Sequence, residues 1–317
     1  MMWRALSAAL LLLGGPLAAQ AAPTAADTVK LTFAWPTGAP ASVIARRYRE
    51  RLSDGTGDTT LSQVRYRMEL RGHPDGFEVF TGDLKIDGLE NADSAVSAKL
   101  ARVTSLVPAY VVTRDGEFRS LSDPARFRAM IDSLLAPVRA ELHAANPGAD
   151  SLLAAMTSDA MLAASVAQEW NAMVGFWTGG ELEVGSAYEF EHTEPIPVLG
   201  VDLPMRYEFG ILGRAACDSA AGGKGCVELQ MIGEPEQKAV AALIADVMAS
   251  AAPAAHSVEV GSKLTIRTIV KVLAEPGTLR PYYVAVSKEV DMAFTVDGEL
   301  STVRQVDVRE QWYAYGK

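Results

Sequence analysis

Histidine and cysteine are both scarce here, at four and two residues in a chain of 317. His73, His143, His192 and His256 lie far apart, with no ligand-like spacing. A zinc centre needs His, Cys or carboxylate ligands that converge, so no metal site is predicted. Asp54 and Asp58, and likewise Asp83 and Asp87, sit in turn-like stretches whose spacing matches no calcium loop. Nucleophile motifs are missing too. There is no Gly-x-Ser-x-Gly elbow and no Lys with a Ser three residues before it, which removes the usual hydrolase and penicillin-binding signatures. Gly223-Lys224 runs into Gly225 rather than Ser or Thr, and Gly55-x-Gly57 lacks a third glycine, so neither a phosphate loop nor a dinucleotide site is expected. The chain reads as a non-enzyme without cofactor, and a hydrolase built from scattered carboxylates is the enzymatic alternative.

Basic residues are outnumbered, at 29 Lys and Arg against 39 Asp and Glu, for a net charge of −10. Such an acidic chain has no general attraction for nucleic acid or anionic membrane surfaces. Long apolar runs are absent as well. The longest, Ala5 to Leu13, falls well short of the roughly 20 residues that span a bilayer.

That short run is nonetheless informative. Arg4 precedes it, Gly14-Gly15-Pro16 breaks it, and Ala19-Gln20-Ala21 offers the small-x-small pattern of a signal peptidase site. Residues 1–21 are therefore expected to be a cleaved leader, with the mature chain beginning near Ala22 in the periplasm or outside the cell. No cysteine follows the cut to carry a lipid anchor. Loss of Arg4 leaves 28 basic against 39 acidic residues, a net charge of −11. Cys217 and Cys226 flank a turn-forming segment rich in Gly and Ser, with strand-like sequence on both sides. In an oxidising compartment this spacing predicts a structural disulfide across a hairpin end.

Period-two patterning dominates both ends of the mature chain. Val29 to Trp35, Ser42 to Leu52, Val64 to Leu70 and Phe77 to Ile86 read as strands in the first part. Ala187 to His192, Met205 to Leu212, Val227 to Ile232, Leu264 to Val272, Tyr283 to Phe294 and Val303 to Trp312 continue the series. Strands so closely spaced pair antiparallel. Helices are expected between the two series. One starts at Asp123-Pro124 and stops at Asn146-Pro147-Gly148, with a kink or split at Pro137. A second covers about Ser151 to Trp177. Ala-rich segments at Ser94–Leu106 and Pro235–Ser250 hint at a duplication. The predicted class is α+β: strongly curved antiparallel sheet packed on central helices, in two similar halves, residues 22–178 and 179–317.

Two groups of residues stand out as candidate binding sites. Arg47, Arg49 and Arg51 share a strand face by parity, as do Arg65, Arg67 and Arg71, and the two strands together would make a basic patch for an anion or a protein partner. The second group is the Met- and Trp-rich stretch Met156, Met161, Trp170, Met173, Phe176 and Trp177. Thioethers and broad rings suit an adaptable apolar pocket, and they equally suit a helix buried under a sheet.

The order of elements from Val29 to Trp312 resembles, in architecture and without a diagnostic motif, the LolA and LppX/LprG class of lipoprotein carriers and lipid-binding proteins, and the segment Tyr110-Val111-Val112-Thr113-Arg114-Asp115-Gly116-Glu117-Phe118 is similar to a strand-turn-strand element of exported proteins of this general build. The resemblance carries over no functional residue. It implies a concave apolar surface that shelters an acyl chain. The expectation is thus an exported, non-catalytic binding protein that holds a lipid or other amphiphile between sheet and helices, and the alternative is a structural or protein-interaction module of the cell envelope.

Overall fold

The computed structural model describes residues 27–90, 108–145, 157–196, 201–217, 225–243, 258–296 and 298–316. Two-residue turns shape its first part. Ala41–Ser53 (β2) turns through Asp54 and Gly55, both at positive φ, into Thr56–His73 (β3). Paired positive φ values suit the right-handed twist of hairpin strands, and glycine adopts them without strain. Pro74-Asp75 then turns β3 into Gly76–Glu90 (β4). Tyr110–Val112 (β5) and Phe118–Leu121 (β6) complete this five-stranded meander.

The chain next forms Pro124–Ala145 (α1) and Asp159–Trp170 (α2). Asp123 caps α1 by accepting from Arg126 N at 2.9 Å, as its place before Pro124 predicts. The helix runs through Pro137 without a break. Ser158 caps α2 through a bond from Met161 N. A π turn, Asn171–Gly175, extends α2, closed by Phe176 N donating to Asn171 O at 3.0 Å.

The second meander contains Ala187–Ile196 (β8), Val201–Ala215 (β9), Cys226–Pro235 (β10), Val258–Ala274 (β11), Pro281–Val296 (β12) and Glu299–Tyr315 (β13). A short helical piece over 237–243 follows β10. Thr28–Lys30 (β1) pairs with Glu181–Glu183 (β7) as a separate two-stranded ribbon. Cys217 and Cys226 are joined in a disulfide beside the β9–β10 pairing.

All the long strands join one antiparallel sheet of eleven, in the order β6-β5-β4-β3-β2-β13-β12-β11-β10-β9-β8. The first meander runs outward from β2 and the second runs inward to β13. The β2–β13 pairing closes the centre, with Val43 opposite Tyr313. This overturns the expected class. The protein is mostly β, with 62% of the described residues in strands and 17% in helices, and its sheet is large and open, not a sheet packed on central helices. Of the segments that hinted at duplication, Ser94–Leu106 lies outside the described residues and Pro235–Ser250 is described only to residue 243.

The physical reason lies in strand length. β3 starts at Thr56 and β13 at Glu299, well before their apolar alternation becomes visible. Those extensions carry polar residues on both faces and so lack the periodic signal that marks a strand.

The core occupies one face of the sheet at one end of the strands. Ala41, Val43, Val64, Tyr66, Met68, Val270, Val272, Val284 and Tyr313 are buried there with Trp170, Met173 and Trp177. The segment after β1 straps across this packing: Leu31 N donates to Gly180 O, Thr32 N to Pro276 O and Ala34 N to Thr278 O. It seats Phe33 and Trp35 edge-on to Trp170, with ring centroids 5.7 and 5.5 Å away. Edge-to-face rings add to the stabilisation from area burial alone.

Candidate functional site

Register alone shows how the helix-bearing face changes along its length. One row across neighbouring strands reads Val64, Ala45, Gln311, Val284, Val272 and Leu229. The next reads Ser62, Arg47, Arg309, Val286, Val270 and Met231, and the one after it Thr60, Arg49, Asp307, Lys288, Thr268 and Gly233. An apolar floor thus gives way within two rows to a block of four cations around one carboxylate. At that boundary lies a part-open cavity of about 250 Å³. Met205, Met231, Val270, Val284 and Val286 form its apolar wall, and α2, its π turn and the Phe176 that follows cover it, with Ser165, Gln168, Glu169 and Ala172 also in the lining.

The charged end is ordered around Asp307. Arg47 holds this carboxylate in a two-pronged pair, Nη2 to Oδ2 at 2.6 Å and Nε to Oδ1 at 2.9 Å, and Arg49 Nη2 adds a third contact at 3.0 Å. Burial pushes Asp307 up, but the two guanidinium groups outweigh it and hold the carboxyl below its ordinary value. Arg309 pairs with Glu169 of α2. Surrounding protein, and then the neighbouring Arg47, pull Arg309 down to about 10. Lys288 reaches solvent through the mouth of the cleft, yet enough protein encloses it that desolvation lowers its pKa, against the opposing pull of Asp307 and Glu194. Among the described residues its ammonium donates to Gln168 Oε1 at 3.0 Å and makes no ion pair. Glu194 accepts from the Tyr207 hydroxyl. Gln311, at the floor, is fixed by Tyr313 donating to its Oε1 at 2.6 Å.

The two candidate groups drawn from sequence partly converge here. Arg47 and Phe176 line the same cavity, and Arg49 borders it through Asp307. Arg51 lies further along the same face and is exposed. The other three arginines are elsewhere: register sets Arg65 opposite Ile44 and Arg67 opposite Ser42, which places them on the far face from Arg47. There Arg65 pairs with Asp87 at 2.6 Å, Arg67 and Arg71 share Glu69, and Arg71 stacks on Phe80. The structure therefore does not bring the two arginine triads together. Trp170 and Trp177 are core pillars, donating to Gly116 O at 2.6 Å and Ala172 O at 2.9 Å. Met173 is buried against the Tyr313 hydroxyl. Met156 lies outside the described residues.

Lys288, Asp307 and Arg309 were missed by sequence reasoning. A usable signal exists for the first. Alternate residues of β12 read Val284, Val286, Lys288, Val290 and Met292, so a lone ammonium interrupts an otherwise apolar face. Asp307 and Arg309 carried no such mark, because their significance depends on pairing with Arg47 some 260 residues earlier.

The chain matches no known protein-family model, and no curated protein matches its sequence. Fold and cavity carry the functional reading. They define a large open antiparallel sheet with a cleft, apolar at one end and cationic at the other, under a single helix.

Proposed function

We propose that this is an exported, non-catalytic binding protein that holds a small amphiphile in the cleft between the sheet and α2. The observation that carries the reading is the division of one cavity into an apolar wall and a charged end, each built by the same row-to-row change in the sheet. Ligand pockets combine apolar lining with a few placed polar groups in this manner. The volume limits the guest. About 250 Å³ lies just under the usual range of roughly 300–1,000 Å³ for small-molecule sites, which fits one chain or ring and not a two-chain lipid. Its guanidinium partners hold Asp307 below its ordinary value, so this carboxylate does not serve as a proton donor. Export rests on the leader-like first 21 residues, and the Cys217–Cys226 disulfide fits an oxidising compartment.

Native mass spectrometry of protein from a bacterial periplasm, purified without detergent, tests the reading. A bound single-chain amphiphile, released by organic extraction, is the expected result. A clean mass that stays unchanged after incubation with a membrane extract would overturn it and favour a structural or interaction module.

A further inference from the structure

Three cations, Arg47, Lys288 and Arg309, and three carboxylates, Asp307, Glu169 and Glu194, line the proposed cleft, and Arg49 shares Asp307 from beside it. Asp307 serves two arginines and Glu169 serves Arg309, so among the described residues Lys288 is left without an ion-pair partner. A cation in partly desolvated surroundings favours an added anion. The three carboxylates are not equivalent. Asp307 is locked on the sheet between two arginines, and Glu194 is tied to Tyr207 on the same face. Glu169 instead arrives from α2, across the cleft, and is 42% exposed. It is the anion most easily exchanged.

We infer that Arg309, Lys288 and Arg47 form a seat for the carboxylate head of a single-chain amphiphile, and that Glu169 occupies this seat as an internal surrogate when the cleft is empty. The inference rests on the cleft reading and gives it a ligand class. The head lies against Arg309 and the Lys288 ammonium, and the chain lies along Val286, Val270 and Met231. A carboxylate is the favoured head because the group already accepted there is one. Guanidinium binds it in the same two-pronged geometry that Arg47 shows with Asp307. Displaced, Glu169 turns out to solvent from its half-exposed position on the helix.

Isothermal titration of the full mature protein with decanoate, 1-decanol and decyltrimethylammonium tests this. Decanoate is expected to bind at least tenfold more tightly than decanol, and the cation more weakly than either. Added salt at 0.5 M, a level that screens charges beyond about 4 Å, is expected to weaken decanoate and leave decanol unchanged. Lys288→Met, which breaks no ion pair among the described residues, is expected to remove most of the preference for decanoate. Glu169→Gln vacates Arg309 and is expected to raise decanoate affinity several-fold with no change for decanol. Equal binding of decanoate and decanol would overturn the seat and leave the cleft reading standing. Tight decanoate binding that Glu169→Gln fails to strengthen would overturn the surrogate role. No binding of any of the three would remove the cleft reading, and the seat with it.

Discussion

Arg47 and Arg309 stand directly opposite each other on neighbouring central strands, two guanidinium groups facing the same cleft. Like charges in directly opposed positions destabilise a sheet. Asp307, one step along the strand from Arg309 and clamped by Arg47, supplies the compensation, together with Glu169 from the helix. The pairing that joins the two meanders is thus also a place where opposed like charges need compensation.

Asp307→Asn is expected to destabilise the protein by roughly 2–4 kcal/mol. Breaking a buried pair costs about 3–5 kcal/mol because it leaves the partner charge uncompensated, and the part-exposed arginines here soften that cost. The pH dependence follows from the direction of the shift. The folded-state pKa of Asp307 is depressed, so its contribution is fully present above the unfolded carboxyl value of about 4 and is lost as pH falls through the lower folded value. Urea denaturation between about pH 2 and 7 should show a smaller acid loss in the variant than in the parent. An unchanged acid limb would show that other carboxylates set it.

Trp170 and Phe176 are only six residues apart and are expected to behave oppositely. Trp170 is fully buried, bonded to Gly116 O and ringed by Phe33, Trp35 and Tyr110. Trp170→Ala should cost about 3–5 kcal/mol, the usual range for a large aromatic truncated in a core. Phe176 is 38% exposed over the cavity, so Phe176→Ala should cost no more than about 1.5 kcal/mol. Its effect should appear in decanoate affinity instead. Thermal melts paired with titrations separate the two, and a large stability loss at Phe176 would mean that it belongs to the core.

These contrasts show how far the sequence could be read. Val64, Tyr66, Met68 and Leu70 alternate with charges, and this period-two signal placed β3 correctly at its packed end. Strands were legible over Arg47, Arg49, Lys288 and Asp307 as well, but periodicity could not show that these charges share one face of the sheet, since that depends on pairing between distant strands. Arg65, Arg67 and Arg71 illustrate a second limit. Parity groups residues on one strand, but only the register between strands decides which face each group shares, and register here depends on the Asp54-Gly55 turn. Trp170 and Trp177 were legible as large apolar side chains on a helix, and their role as core pillars became visible only with the Leu31–Trp35 strap above them.

Gly233 is expected to be intolerant of even a methyl group. A Cβ there would stand 2.6 Å from Tyr207 Cε1 and 3.0 Å from its Cδ1. The ring cannot easily retreat, because it stacks on Phe190 with centroids 4.8 Å apart and its hydroxyl is held by Glu194. Gly233→Ala should therefore cost about 1–3 kcal/mol, as overpacking generally does. It should also narrow the cleft, which Tyr207 lines. A variant as stable as the parent would show that the Tyr207 wall is compliant.

The disulfide offers a stability test that leaves the cleft untouched. Cys217 and Cys226 close a loop with a sequence separation of 9, and Cys226 stands opposite Ala215 in the β9–β10 ladder. Confining so short a loop in the unfolded chain contributes roughly 2–3 kcal/mol on the chain-entropy model. Replacing both cysteines by alanine should lower the unfolding free energy by about that amount without altering decanoate binding, since neither residue lines the cavity. Reduction of the parent with dithiothreitol should reproduce the loss, and reduction of the double variant should do nothing further. A change in ligand affinity on reduction would show that the β9–β10 hairpin, and with it Met205 and Met231, shifts when the staple is cut.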